Sequence, residues 1–195
     1  MKTIRQWVLL LAGVTSWTCA GAVDLRPVLR AGAEFGGDKL FSLVFTDGST
    51  TNVKAHDGFS LGGGASFLNE SKSFEIETTL SYKFHFTNAS NGDVTWSRIP
   101  LDVVGFYRLS RVRLGGGLTY HLSPRVKGSG VASNLDIKFD NAAGVVLQAD
   151  YLFSGKESGQ GMYLGLRFTS LKYKEKGSGV SVDSNGGGLQ VGYRF

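Results

Sequence analysis

At 195 residues the chain has room for one domain. Its 28 glycines are about twice the average share of near 7% but follow no Gly-X-Y period, which excludes a collagen-like rod. The single cysteine, Cys19, excludes a disulfide scaffold.

Residues 1–22 read as a cleaved signal peptide. Lys2 and Arg5 give a positive start, Trp7–Val14 a short apolar run, and Ala20-Gly21-Ala22 a small-x-small pattern that predicts cleavage after Ala22. The apolar run falls well short of the roughly 20 residues a spanning helix needs. Ser16-Trp17-Thr18 is not the small apolar run expected before a lipidated cysteine, so Cys19 belongs to the leader. The mature chain, residues 23–195, then holds no cysteine, which excludes thiol catalysis and cysteine-bound metal. Losing Lys2 and Arg5 with the leader takes the formal charge from +5 to about +3, which argues against a nucleic-acid partner. No later segment approaches the roughly 18 consecutive apolar residues of a membrane helix.

The remaining chain alternates with period two, the strand signature. Leu29, Ala31, Ala33 and Phe35 open the series weakly. Phe59–Phe67 follows, with Phe59, Leu61, Gly63, Ala65 and Phe67 on one face. Ser73–Phe86 is the clearest strand: Phe74, Ile76, Thr78, Leu80, Tyr82, Phe84 and Phe86 oppose Ser73, Glu75, Glu77, Thr79, Ser81, Lys83 and His85. Arg98–Tyr107, Val112–Leu122, Ala143–Phe153, Met162–Thr169 and Gly188–Phe195 complete eight strands. Pro100 cannot donate to a ladder and predicts a bulge or irregular pairing. The connections Asn69–Lys72, Ser110-Arg111 and Ser154–Gln160 are short. The Asp47-Gly48 region, Thr87–Asp93 (with Asn91-Gly92), Ser123–Asn141 and Lys174–Gly187 are mostly longer. The pattern predicts an all-β fold, a closed eight-stranded antiparallel up-and-down transmembrane β-barrel after a cleaved signal peptide, with both termini at the short-turn, periplasmic end.

Three features favour a membrane over a soluble barrel. Several strands exceed the roughly 9 to 11 residues needed to cross a bilayer. Gly62, Gly64, Gly115, Gly117, Gly165, Gly188 and Gly192 share the charged face, as the narrow interior of a small barrel requires. Aromatics on the apolar face cluster at both ends, with Phe74, Tyr107, Tyr151, Phe153, Tyr193 and Phe195 near the short turns and Tyr82, Phe84, Phe86, Tyr120 and Tyr173 near the long loops.

The terminal Leu189-Gln190-Val191-Gly192-Tyr193-Arg194-Phe195 resembles the last strand of bacterial outer-membrane proteins. In those proteins a C-terminal phenylalanine, preceded by apolar residues at alternating positions, is the signal read by the outer-membrane assembly machinery. The resemblance assigns that role to Tyr193 and Phe195. Arg98–Tyr107 and Leu114–Leu122 look like strands of the OmpX/OmpW-like and opacity-type superfamily of small barrels. What the resemblance implies is location and assembly route.

The inward face should carry Arg30, Glu34, Glu75, Glu77, Lys83, Arg98, Asp102, Arg113, His121, Asp150, Tyr163, Arg167, Gln190 and Arg194. Both charge signs are present in near balance, so a polar plug rather than an open pore is expected. Arg125, Lys127, Lys172, Lys174 and Lys176 fall in the long loops, where they suit lipopolysaccharide phosphates. The function expected is outer-membrane integrity or surface interaction through those loops. One alternative is a lipid A-modifying hydrolase. His121-Leu122-Ser123 resembles the His-x-Ser pair of the lipid A 3-O-deacylases, and Asp136 stands in only approximately for their downstream glutamate. Those enzymes follow the serine with asparagine, whereas Pro124 stands here. Another alternative is a soluble periplasmic ligand-binding barrel, although Val94-Thr95-Trp96 lacks the Gly-x-Trp signature of lipocalins. His56, His85 and His121 have no metal-ligand spacing, Gly62-Gly63-Gly64 and Gly115-Gly116-Gly117 open no helix as phosphate loops do, and no cofactor is expected.

Overall fold

A computed structural model describes residues 23–44, 50–89 and 92–195. The expected leader, with Cys19, and the Asp47-Gly48 and Asn91 turn positions lie outside them. The elements are β1 (Asp24–Gly36), β2 (Lys39–Val44), β3 (Thr50–Lys54), β4 (Gly58–Leu68), β5 (Phe74–Ala89), β6 (Gly92–Arg108), β7 (Val112–Gly128), β8 (Asp136–Lys138), β9 (Ala142–Leu152), α1 (Gly155–Ser158), β10 (Gly161–Lys174) and β11 (Ser181–Arg194).

Neighbouring strands run β6-β5-β4-β1-β11-β10-β9-β7, and pairing of β6 with β7 closes the ring. The result is the expected eight-stranded antiparallel barrel. First and last strands meet in register, Val28 opposite Arg194 and Glu34 opposite Gly188. Closure leaves the barrel wall no free edge, which matters where no water can satisfy one.

The strands are longer than the alternation alone marked. β1 begins at Asp24 rather than Leu29, β7 runs to Gly128, and β11 starts at Ser181 inside the expected 174–187 loop. Two connections at this end carry their own strands, the β2–β3 hairpin and β8. The reason is physical. Beyond the lipid layer a strand has no lipid-facing side to keep apolar, so Ser181-Val182-Asp183-Ser184 extends the ladder without the alternation that would advertise it.

Pro100 sits where the pairing is irregular. β5 pairs with β6 at Leu80–Leu101 and again at Lys83–Arg98, with no pair formed by Pro100 or Ile99 between them. On the other side the register shifts between Ser97 and Ile99, leaving Ser123 and Pro124 of β7 opposite the one residue Arg98. Ser123 has φ 48 there. This bulge reverses the inward phase of β7, from His121 below it to Pro124, Val126 and Gly128 above.

The outward face is an apolar belt. Leu29, Leu61, Ile76, Leu118, Leu147, Leu166 and Leu189 are all more than half exposed. Aromatic pairs flank it, Phe74–Tyr107 and Tyr193–Phe195 at the short-turn end, Tyr82–Phe84 and Phe84–Phe86 at the other. Tyr173 is a correction: it is fully buried inside the barrel rather than part of the outer girdle. The inward glycines make room for bulk. A Cβ on Gly192 would strike the Tyr163 ring, and one on Gly165 would strike the Asp150 carboxylate.

Candidate functional site

The interior holds charges where a soluble barrel would hold a ligand. Near the short-turn end Arg113 is the hub. Its Nε donates to Asp150 at 2.6 Å, its Nη1 to Glu77 at 2.8 Å and also to Glu75. The guanidinium lies between two rings, 4.0 Å from the Phe106 centroid and 4.3 Å from Tyr163. Arg194 Nη1 reaches Glu75 at 2.6 Å, and Arg108 Nη1 stands 3.4 Å from the same carboxylate.

Midway, Asp102 is shared by Arg30 and by Arg167 Nη2 at 2.9 Å. Gln148 and Gln190 both donate to Asp150, which ties this layer to the one below. Higher still, Glu34 receives Lys83 at 3.1 Å and the His56 Nε2 at 2.6 Å, while His56 Nδ1 meets Ser184 Oγ at 3.0 Å. Every residue of this network is buried, Gln148 and Gln190 included. Such burial is tolerable because the carboxylates are met by arginines or lysine with hydrogen bonds. The space left among Arg30, Lys83, Asp102, His121 and Arg167 is about 10 Å³, room for about one water.

The fourteen residues expected on the inward face, Arg30, Glu34, His121 and Tyr163 together with Glu75, Glu77, Lys83, Arg98, Asp102, Arg113, Asp150, Arg167, Gln190 and Arg194, are all buried. Arg108 adds one cation to those expected inside. The buried cations Arg30, Lys83, Arg98, Arg108, Arg113, Arg167 and Arg194 outnumber the buried carboxylates Glu34, Glu75, Glu77, Asp102 and Asp150. Among the described residues Arg98 hydrogen-bonds to backbone carbonyls rather than to a carboxylate. Its Nη2 donates to the carbonyls of His56 at 2.9 Å and Asp57 at 2.8 Å.

Above Arg98 the filling turns apolar. Val53, Ala55, Val94, Trp96, Val126, Phe139, Ala142, Leu171 and Tyr173 form one buried cluster. Trp96 donates its indole N–H to the Ala55 carbonyl at 3.0 Å and meets Tyr173 edge-on. The bulge at Ser123 turns Val126 inward to complete this cap. At the opposite end α1 is fastened to the neighbouring turns. Lys156 N–H donates to the Ser110 carbonyl at 2.7 Å, Lys156 Nζ donates to Ser73 Oγ at 2.8 Å, and Lys72 donates to the Glu157 carbonyl.

No protein-family model matches the chain, and no curated protein matches it in sequence. Solved structures do. The chain is similar to Neisserial surface protein A (NspA) at 16% identity, covering 89% of this chain and 97% of that one, with a TM-score of 0.50. The chain has the fold of the small outer-membrane β-barrels. Weaker likenesses are to Ail, the attachment invasion locus protein of Yersinia pestis, at 15% identity over 90% of this chain and 99% of that one with a TM-score of 0.44, and to OmpT, an outer membrane protein of Vibrio cholerae, at 18% identity over 87% of this chain and 52% of that one with a TM-score of 0.28. At these identities the likeness is one of fold.

In a small outer-membrane barrel the long-loop end is the other place to look for function. Here it is a continuous sheet. Arg125 and Lys127 of β7 pair with Lys138 and Asp136 of β8. Phe139 then bridges to Glu175, and Lys176 N–H donates to the Lys138 carbonyl. Arg125, Lys127, Lys138, Lys172, Lys174 and Lys176 thus come from one folded wall. Lys127, Lys174 and Lys176 are exposed. Arg125 is clasped to Asp136 by two hydrogen bonds of 2.6 Å, and Lys172 pairs with Asp183 at 3.1 Å. The hydrogen bond from Arg125 holds the Asp136 carboxyl below its ordinary range.

His121, Ser123 and Asp136 are not brought together. His121 is buried in the lumen with Tyr173 Oη on its Nδ1. Ser123, displaced by the bulge, is exposed, and its backbone N–H is taken by Asn141. Asp136 is occupied by Arg125. The sequence reasoning missed Arg108, His56 and the apolar cap. Arg108 continues the even-numbered inward face of β6 by one step and was legible there. His56 lies in a loop, where alternation gives no signal.

Proposed function

We propose that this protein is a non-conducting barrel of the bacterial outer membrane, with both termini in the periplasm, that serves membrane integrity and surface interaction through its extracellular end. The observation that carries this reading is the filled interior: a ladder of ion pairs from Glu75 to Glu34, roofed by the Trp96 cluster. A lumen so occupied offers solutes no path, which leaves the rims and the outer wall as working surfaces.

On this reading residues 1–22 direct export and are removed, and residues 23–195 form the barrel. Tyr193 and Phe195 present the C-terminal signal to the outer-membrane assembly machinery. Arg125, Lys127, Lys172, Lys174 and Lys176, joined by Lys138, meet lipopolysaccharide phosphates, where charge-assisted contacts are strongest.

The test has three parts. Refolded protein in a planar bilayer should carry no steady current, and stepwise conductance overturns the non-conducting reading. Purified from outer membranes, the K127Q/K174Q/K176Q variant should retain less lipopolysaccharide than the wild type, and equal retention removes the proposed contact. Lipid A from cells with and without the protein should carry the same acyl chains. Loss of one chain that depends on His121 would instead make the protein a hydrolase.

A further inference from the structure

We propose that the short-turn rim binds one anionic phospholipid, its phosphate between the β6–β7 turn and α1 and an acyl chain in a groove on the outer wall. The turn after β6 and the segment holding α1 border an open cavity of about 520 Å³. Arg108, Arg111 and Lys156 line it, against the single carboxylate of Glu157.

Arg108 points to an anion. It is buried to 1% exposure. Its Nη2 donates to the Lys156 carbonyl at 3.2 Å. Its Nη1 stands 3.4 Å from Glu75, a carboxylate that already serves Arg113 and Arg194. Its Nε has no hydrogen-bond partner among the described residues. A buried guanidinium so incompletely met is costly, and a phosphate oxygen in the adjoining cavity would complete it.

The outer wall points to a lipid rather than a free anion. Tyr107 lines this cavity and also a second depression of about 620 Å³ bordered by Phe74, Ile76, Leu114 and Leu147. The floor of that depression is the cross-strand pair Gly105–Gly116, two outward positions without side chains. Cation site and apolar groove therefore share a wall at the level of the Phe74–Tyr107 and Tyr151–Phe153 aromatic pairs. Head groups lie at that depth. Arg111, which donates to Tyr151 Oη at 3.2 Å, sits at the same level.

Placing this rim in the inner leaflet rests on the periplasmic orientation proposed above. The binding itself does not, and symmetric nanodiscs test it separately. Mature protein would be reconstituted with phosphatidylcholine and a minor fraction of phosphatidylglycerol, and the lipids retained on gentle release read by native mass spectrometry. Two surface cations near a phosphate predict on the order of tenfold enrichment of phosphatidylglycerol. R111Q/K156Q should abolish the enrichment. Gly105→Leu should lower it by filling the groove, and a Cβ there meets nothing closer than the Gly116 carbonyl at 3.8 Å, so the barrel should still fold. The outer-belt variant Leu118→Ala, outside both depressions, should leave it unchanged. No enrichment, or enrichment indifferent to R111Q/K156Q, overturns the proposal. Binding of soluble glycerol phosphate with lipid retention insensitive to Gly105→Leu also overturns it, in favour of a free-anion site.

Discussion

Trp96 and Arg98 are successive inward residues of β6, and the guanidinium carbon of Arg98 lies 4.8 Å from the centre of the Trp96 ring. This contact is the seam between the two fillings of the barrel. Below it the interior is ionic, and above it apolar. Arg98, whose hydrogen bonds go to backbone carbonyls, thus also meets an aromatic face, which offers it attraction without charge. Trp96→Ala should destabilise the fold by about 3–5 kcal/mol, as expected for emptying a packed aromatic site. The loss should concentrate at the long-loop end. Hydrogen exchange should quicken in β8 and the β2–β3 hairpin while β1–β11 pairing stays protected. Uniform loss of protection would mean that the cap is not a separate packing unit.

Arg113 joins Glu75, Glu77 and Asp150; its removal takes away the ion-pair partner of Glu77, while Glu75 keeps Arg194 and Asp150 keeps the two glutamine donors. Arg113→Met should cost about 3–5 kcal/mol, the usual penalty for breaking a buried ionic group by removing one side. Adding Glu77→Gln should recover part of that loss, because the stranded charge is reduced. Urea unfolding in detergent micelles measures both. If the double variant is no more stable than the single, the penalty arises from lost stacking on Phe106 and Tyr163 rather than from charge.

The lumen list was legible in the sequence because two constraints act on every residue of a spanning strand. Lipid demands apolar atoms outside, and the small bore demands that polar and small residues share the inside, so Glu75, Glu77 and Lys83 declare their side by position alone. Both constraints lapse above the bilayer. Trp96 and Val94 then face inward like Arg98 and Asp102, yet their apolar character said nothing about which side of the wall they occupy. Ser123 shows the second limit: Pro100 forecast irregular pairing at this level, but nothing placed the inserted residue in the facing strand, where it reverses the phase. It separates Ser123 from His121, which the spacing alone placed side by side.

Leu166 is 65% exposed in the middle of β10, an arrangement that is costless only in lipid. Leu166→Arg should reduce stability by about 2–4 kcal/mol in a bilayer, as for cations near the midplane. The same charge introduced by Ser133→Arg, at an exposed position between β7 and β8, should be neutral. Folding equilibria in lipid vesicles compare the two. Equal, negligible effects would contradict the assignment of this belt to the hydrocarbon layer.

The Arg125–Asp136 clasp gives a pH dependence with a definite sign. The Asp136 carboxyl is held below its ordinary value by the Arg125 hydrogen bond, so the clasp contributes when the carboxylate is ionised. Its contribution is present above the ordinary carboxyl range and is lost as pH falls through the lowered value of the folded state. Both side chains are about two-fifths exposed, so the effect is local rather than global. Acidification should therefore loosen β8 first, seen as faster exchange of the Lys127 and Ile137 amides relative to the barrel strands after correction for intrinsic rates. Asp136→Asn should show that faster exchange already at neutral pH and little further change on acidification. A wild-type β8 indifferent to pH would mean that strand pairing with β7, and not the ion pair, holds this part of the platform.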